Sequence, residues 1–200
     1  VNTALFSIPK DVILHSQHPT VLSSPFQEES DSFLRLVVFL AVERRRILSG
    51  GRSFWAPYIR ALPTPEDFSD FHPLYAPFVA TELLDDFAAL PVTQDIRNAV
   101  TYLLGCWIRN GAKWTSLAGA SGVQDFAFGD FWWAIVVLQS RGYAADWANP
   151  AMVPIFDLAN CERSANVFVE NDGPLAPWLC CVSQGLRQGD EVLDLYRANA

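Results

Sequence analysis

Apolar residues recur at the spacing of a helix in the middle of the chain. The clearest case begins at Asp31 or Ser32, either of which can cap a helix, and ends near Arg46, before the pair Gly50 and Gly51. Its core positions lie on one face: Phe33, Leu36, Val37, Leu40 and Ala41. Further helices are predicted in four places: 57–62, 81–89, 93–110 with Gly111 as the C-cap, and 130–141.

Short apolar runs near both ends of the chain predict strands. The first lies within the stretch from Ala4 to Lys10, and Pro9 ends it. Later extended segments are predicted over 152–158, 166–170, 178–182 and 192–196, with turns at 171–173 and 188–190. Four stretches rich in polar residues, Gly or Pro are predicted to be loops: 15–30, 65–77, 112–125 and 143–151. Strands at both ends with helices between them indicate an α+β fold.

Two groups of charged or ionisable side chains have both a functional and a simpler interpretation. Arg44, Arg45 and Arg46 could bind an anion, but positive charge suits the last turn of a helix, so a solvated helix end is predicted. His15 and His18 could begin a metal site, but no third ligand lies nearby in the sequence, so solvated loop histidines are predicted.

Composition predicts a folded domain that avoids nucleic acid and membranes. Half of the 200 residues are hydrophobic and 13% are aromatic, which is ample for a packed core. The formal net charge of -8 is poorly suited to phosphate binding, so no direct nucleic-acid partner is expected. The longest apolar run, Phe131 to Leu138, falls short of the ~20 residues that span a bilayer, so no membrane span is expected.

The four cysteines, at positions 106, 161, 180 and 181, include no Cys-x-x-Cys pair. They are therefore interpreted as buried free thiols rather than zinc ligands or disulfides. This usage favours an intracellular reducing compartment. A chloroplast or another organelle fits as well, and the sequence leaves the localisation open.

Four motifs occur in order along the chain. The first is a helix with Glu43 near its end, followed by the element Trp55-Ala56-Pro57-Tyr58-Ile59-Arg60-Ala61-Leu62-Pro63. The second is Ser140-Arg141 at a helix end. The third is Asp157-Leu158-Ala159-Asn160-Cys161, and the fourth is the run from Gly189 to Tyr196. In this order they resemble the SET-domain protein methyltransferases, in the branch typified by the Rubisco large-subunit methyltransferase.

The resemblance implies a cofactor and a set of site residues. Members of this family move a methyl group from S-adenosylmethionine to an amine, usually a lysine of a protein substrate, and need no metal. Asn160 matches the family's asparagine that binds the methionine end of the cofactor, and Asp157 matches an aspartate near the cofactor and the lysine channel. Cofactor contacts are therefore predicted at Ser140, Asp157, Asn160 and Cys161, substrate-channel contacts at Arg141 and Ala159, and the catalytic hydroxyl at Tyr196.

The same resemblance implies a domain organisation. We expect one SET-like domain over 1–200, with β-rich SET parts at 1–30 and 143–200 and a mostly helical insert at 31–142. The family begins with a Gly-x-Gly strand that closes over the cofactor and continues into a helical substrate-binding domain. Neither is expected within the 200 residues.

Three interpretations from different classes remain open at this point. One is a methyltransferase that acts on a protein lysine or, as in one branch of the family, on a histidine. The second is a non-catalytic SET-like structural or docking subunit of a larger assembly, organellar or not, because Cys161 replaces the family's histidine and a thiol is a weak hydrogen-bond partner. A plain α+β domain is the third, in which Asp157 caps a turn, Asn160 bonds local backbone and Tyr196 packs in a core.

Overall fold

The computed structural model describes residues 3–69, 72–75, 85–144, 150–161, 165–170, 177–183 and 185–194. The chain divides into two compact units. The first comprises Val1–Leu22 and Arg141–Ala200, and the second comprises Ser23–Ser140. The first unit carries the strands and the second is helical, so the predicted α+β class is confirmed.

The first unit is built from short strands in three small sheets. The described strands are β1 Thr3–Ile8, β2 Leu14–His15, β3 Tyr143–Ala144, β4 Pro150–Met152, β5 Asn160–Cys161, β6 Val167–Glu170, β7 Trp178–Val182 and β8 Leu193–Asp194. Two of the sheets are antiparallel, in the orders β1-β7-β6 and β2-β4-β3. In the third sheet β5 pairs with β8 in parallel. The unit also contains the short helix α1, Pro19–Leu22.

Apolar side chains from the first two sheets and from the segments next to their strands form the core of this unit. Its buried members are Ile8, Ile13, Ala151, Val153, Phe156, Val167, Trp178 and Cys180. Adjacent residues Cys180 and Cys181 point to opposite faces of β7, and both are buried, so both faces of the sheet are covered at this position. Burial, with smaller contributions from Asp194 and Cys181, raises the pKa of the Cys180 thiol to about 11. The prediction of buried free thiols is confirmed for Cys106, Cys180 and Cys181.

The second unit contains the remaining described helices. They are α2 Ser32–Leu48, α3 Ala56–Ala61, α4 Pro65–Ser69, α5 Pro91–Ala120 and α6 Phe128–Arg141, whose last residue begins the other unit. Helix α2 starts as predicted, since the Asp31 carboxylate accepts a hydrogen bond from the Leu34 amide at 3.0 Å. It also ends as predicted, because Gly50 has φ +79° and the Gly51 amide donates to the Arg46 carbonyl.

Helix α5 is longer than the sequence predicted. It continues past Gly111 to Ala120, through most of the segment 112–125 that was predicted to be a loop. Gly111 is buried inside the helix, and a Cβ atom there would lie 2.8 Å from the indole ring of Trp107. That ring also packs against Phe126 and Phe131, at centroid distances of 5.8 and 5.3 Å. Gly111 is therefore a close-packing position and not a helix terminus.

Replacing Gly111 with alanine is expected to destabilise the protein by about 1–2 kcal/mol. The added methyl group overlaps the ring of Trp107, and this overpacking outweighs the better helix propensity of alanine. The matched control is Gly105→Ala in the same helix, where the Cβ would meet only the end of the flexible Arg109 side chain at 3.0 Å. Chemical denaturation should show Gly105→Ala as neutral or stabilising, and equal effects of the two substitutions would contradict the packing explanation.

Other predicted loops contain short elements. Helix α4 lies within the predicted loop 65–77. The Thr64 amide and hydroxyl just before it both donate to the Asp67 carboxylate in its first turn, and the amide bond is one half of a capping box. The sequence Thr64-Pro65-Glu66-Asp67 carries that signal, with proline at the first helical position. Helix α1 lies within 15–30, and β3 and part of β4 lie within 143–151. The predicted turn at 171–173 and the first four residues of the predicted helix 81–89 lie outside the described residues.

The two histidines near the N-terminus are buried, which corrects the prediction of solvated side chains. His15 is 3% exposed and His18 is 7% exposed, and their rings meet edge to face at 5.7 Å. The Nδ1 atom of His18 accepts a hydrogen bond from the Thr20 amide, and its Nε2 atom contacts the Asp11 carbonyl. Burial, and secondly the neighbouring His18, lowers the pKa of His15 to about 4, so His15 is neutral near pH 7.

The arginine run at the end of α2 is only partly solvated, which corrects the prediction of a solvated helix end. Arg44 and Arg45 donate to the two carboxylate oxygens of Asp130, at 3.1 and 3.0 Å, and Asp130 is fully buried. Arg44 also lies over the ring of Trp133, 4.6 Å from its centroid. The arginines therefore bind an anion that the chain itself supplies from α6.

Candidate functional site

A strained turn lies at the centre of the predicted site. Residues Phe156–Leu158 form a single 3-10 turn, preceded by Ile155 at φ +74°. A β-branched residue rarely adopts this conformation, and the Ile155 side chain is 65% exposed. The turn is closed by hydrogen bonds from the Asp157 amide to the Val153 carbonyl and from the Ala159 amide to the Phe156 carbonyl, both 3.0 Å.

Arg141, which lies outside this turn at the end of α6, makes a hydrogen bond to it. Its guanidinium donates to the backbone carbonyl of Asp157 at 2.9 Å, across 16 positions of sequence. The Asp157 side chain is 2% exposed, so the turn buries a carboxyl group beside a cation-bound carbonyl. Two residues that the sequence assigned to the site, Arg141 and Asp157, are thus in direct contact.

The strand pair β5 and β8 brings two distant segments together. Asn160 pairs with Leu193, and Cys161 pairs with Asp194. The Asn160 side chain is exposed, and its amide nitrogen donates to the carboxylate of Glu191. The motif that ends in Asn160 and Cys161 therefore lies beside the strand that leads toward Tyr196.

Asn166 fixes the segment that precedes β8, a role that the sequence did not predict. Its side-chain nitrogen donates to the Glu191 carbonyl at 2.8 Å, and its side-chain oxygen accepts from the Leu193 amide at 2.9 Å. Its backbone amide also donates to the Leu193 carbonyl at 3.0 Å. Asn166 therefore makes hydrogen bonds to the backbone of Glu191 and Leu193 like those of a neighbouring strand. Because Glu191 accepts from Asn160, these bonds also support the position of Asn160.

Tyr143 is a second residue of this region that the sequence did not predict. Its hydroxyl lies 3.2 Å from a carboxylate oxygen of Asp194 and 3.5 Å from the Phe156 carbonyl. Its ring packs against Phe156 and Trp178, at centroid distances of 5.2 and 5.7 Å. The only feature of the sequence that could have pointed to Tyr143 is its position two residues after Arg141. Its partner Asp194 is 51 positions away, so no local pattern links the two residues.

The remaining predicted site residues have different surroundings. The Ser140 hydroxyl donates to the Val137 carbonyl of its own helix at 3.2 Å. Ala159 is half-buried at the end of the turn, and Cys161 is placed by its backbone in β5. Tyr196, the predicted catalytic residue, lies outside the described residues.

The described residues of segments 141–161 and 185–194, which contain the candidate site, are acidic. Their carboxylates belong to Asp157, Asp190, Glu191 and Asp194, whereas their cationic side chains are Arg141 and Arg187. Such a balance favours a ligand that carries positive charge. The exposed Asn160 amide and Glu191 carboxylate supply the amide and carboxylate groups that can bind the polar end of an amino acid.

No group of three or more His, Cys, Asp or Glu side chains arranged for a metal ion occurs among the described residues.

A separate cleft of about 550 Å³ lies within the helical unit. Its walls include Leu48, Tyr75, Phe128 and Trp132, and Arg44, Arg45 and Asp130 line it as well. Of the predicted site residues that the structure describes, none lines this cleft. The helices of the described residues include none that is long and apolar enough to cross a membrane.

Comparison with known proteins identifies the fold. No family model and no curated protein matches the chain. The chain is similar to the solved SET domain of LSMT bound to lysine and AdoHcy, with a TM-score of 0.67 and 17% identity, over 99% of this chain and 45% of that chain. It is also similar to Rubisco LSMT bound to sinefungin and monomethyllysine, with a TM-score of 0.66 and 16% identity, over 99% of this chain and 44% of that chain. The predicted SET fold is therefore confirmed, and the chain spans less than half the length of these two structures.

Proposed function

We propose that the chain belongs to a protein-lysine methyltransferase that uses S-adenosylmethionine. The parallel pairing of β5 with β8 carries this proposal, since it brings the segment of Asn160 and Cys161 beside the strand that leads toward Tyr196. The SET fold, shared with structures that contain AdoHcy, sinefungin, lysine and monomethyllysine, supports it. In this proposal the mostly helical segment 31–142 is an insert within a SET domain whose β-rich parts are 1–30 and 143–200.

The residues of the strand pair suit the cofactor. Asn160 presents its amide at an exposed position beside the Glu191 carboxylate, and these two groups would hold the methionine end. The acidic surroundings favour a cofactor with a positively charged sulfonium centre. Ser140, Asp157 and Cys161 are the further cofactor contacts of this proposal. When bound, S-adenosylmethionine supplies the methyl group, and the protein orients the two reactants.

The turn suits the binding of an amine. Methyl transfer requires a neutral amine aligned with the methyl group, which is a problem of positioning and water exclusion. The carbonyl of Asp157 is held in place by Arg141, so it is a fixed hydrogen-bond acceptor. In this proposal Arg141 and Ala159 border the channel of the substrate side chain, and the hydroxyl of Tyr196 orients the amine. No residue needs to form a covalent bond to the substrate.

Transfer is tested with S-adenosylmethionine that carries a labelled methyl group, incubated with the protein and a cell extract as a source of substrates. The expected result is label on lysine side chains of an extract protein, in an amount that depends on the added protein. Label confined to histidine would replace lysine as the target class. Label that remains entirely in the cofactor, with a well-folded sample, would contradict the proposal.

Cys161 favours a second candidate, a non-catalytic SET-like docking subunit. In the family that the chain resembles, a histidine stands at this position, and a thiol is a much weaker hydrogen-bond donor and acceptor than an imidazole. Such a protein would keep the fold and bind a partner protein without binding the cofactor. Cofactor affinity therefore separates the two candidates.

A further inference from the structure

We propose that Tyr143 and Asp194 form a clamp that positions the strand leading to Tyr196 against the turn that carries Asp157. This inference rests on the proposed function for its catalytic meaning, but the clamp itself is a structural claim. Tyr143 would be a positioning residue, because it acts through the segments that it joins.

The clamp joins two segments through one hydroxyl group. The hydroxyl of Tyr143 lies 3.2 Å from Asp194, in β8, and 3.5 Å from the carbonyl of Phe156, in the turn. Phe156 immediately precedes Asp157, and Asp194 lies two positions before Tyr196. A change in the position of the Tyr143 hydroxyl would therefore displace one segment relative to the other.

The surroundings of the clamp keep it rigid. The Tyr143 ring is packed against Phe156 on one side and meets Trp178 edge to face. The Asp194 side chain is 5% exposed, so its carboxylate depends on hydrogen-bond donors from the protein. A donor to a buried carboxylate is a strong contact and a costly one to lose.

The clamp is independent of the other bonds that hold β8. Asn166 fixes Glu191 and Leu193 from the side of β6, whereas Tyr143 reaches Asp194 from β3. Among the described residues, the backbone of β5 adds a two-residue parallel pairing, Asn160 with Leu193 and Cys161 with Asp194. A pairing of this length needs side-chain contacts to hold its position, and the contact of Asp194 with Tyr143 supplies one.

Amide hydrogen exchange tests the clamp without reference to activity. Tyr143→Phe removes the hydroxyl and keeps the ring, and Asp194→Leu removes the acceptor. Each is expected to accelerate exchange of the Leu193 and Asp194 amides by about tenfold or more, with less than about twofold change in β7. The double variant should exchange no faster than the faster single variant, because both remove the same bond. Tyr102→Phe, at an exposed tyrosine of α5, is the matched control and should leave β8 unchanged.

The same variants test the positioning role. We expect Tyr143→Phe to reduce transfer of labelled methyl groups by about tenfold while the dissociation constant for S-adenosylhomocysteine stays within about twofold of the wild type. Unchanged exchange in β8, or equal acceleration in every strand, would overturn the clamp. Accelerated β8 exchange with unchanged transfer would overturn its positioning role. A wild-type protein that binds no S-adenosylhomocysteine would sink the proposed function, and the exchange data would still decide the clamp.

Discussion

Replacing Asp130 with alanine is expected to lower the free energy of unfolding by about 3–5 kcal/mol. The carboxylate is fully buried and accepts hydrogen bonds from Arg44, Arg45 and the Ala127 amide at 3.0–3.1 Å. Its removal leaves two guanidinium groups that are 17% and 30% exposed and have lost their charged partner. It also removes the acceptor for an amide at the start of α6.

The matched control for Asp130 is Asp85→Ala. Asp85 also pairs with an arginine, Arg97, at 2.6 Å, but the two side chains are 75% and 42% exposed. Water screens such a pair, so its loss should cost less than about 1 kcal/mol. Urea denaturation followed by tryptophan fluorescence measures both variants. A cost below about 1 kcal/mol for Asp130→Ala would show that the buried ion pair does not stabilise the helical unit.

Replacing Asn160 with alanine is expected to weaken the binding of S-adenosylhomocysteine by roughly a hundredfold, or about 2.7 kcal/mol. In the proposed function, the Asn160 amide holds the methionine end of the cofactor. The side chain is exposed, so its loss should change the thermal midpoint little. Isothermal titration calorimetry measures the affinity.

Two further variants sharpen this test. Cys161→His introduces the imidazole that the family carries next to its asparagine, and it should strengthen binding by about tenfold. Asn98→Ala, at an exposed asparagine of α5 that accepts from Gln94, should leave the affinity unchanged. Equal affinities for the wild type and Asn160→Ala would show that Asn160 does not contact the cofactor.

Local patterns in the sequence predicted the parts of the fold that local forces determine. Helix α2 starts at the predicted Asp31 cap and ends before Gly50, because capping and the left-handed conformation of glycine act within a few residues. Strands β1, β6 and β7 lie where alternating or continuous apolar runs predicted them.

Long-range packing explains the predictions that were wrong. Gly111 has the composition signal of a helix end, yet it lies within α5, because it makes room for the Trp107 ring, whose packing partners Phe126 and Phe131 lie 19 and 24 positions further along the chain. The arginines at the end of α2 were predicted to be solvated, but their partner Asp130 is 85 to 86 positions away. A sequence pattern that is read through neighbouring residues contains no record of such a contact.

In the candidate site, too, residues in a local motif could be predicted from the sequence, and residues that act through long-range contacts could not. Asp157 and Asn160 could be singled out because they lie in one motif that resembles a known family. Tyr143 and Asn166 could not be, because each acts through a partner that only the folded chain brings near. The residues that position this site are therefore less visible in the sequence than the residues that would contact a ligand.

The most direct test of the central claim is a calorimetric titration of the full-length protein with S-adenosylhomocysteine. The proposed function predicts saturable binding with a dissociation constant near 1 μM, or about -8 kcal/mol, which Asn160→Ala abolishes or weakens as described above. The absence of detectable binding by a well-folded sample would contradict the methyltransferase. It would leave the non-catalytic docking subunit as the function to pursue.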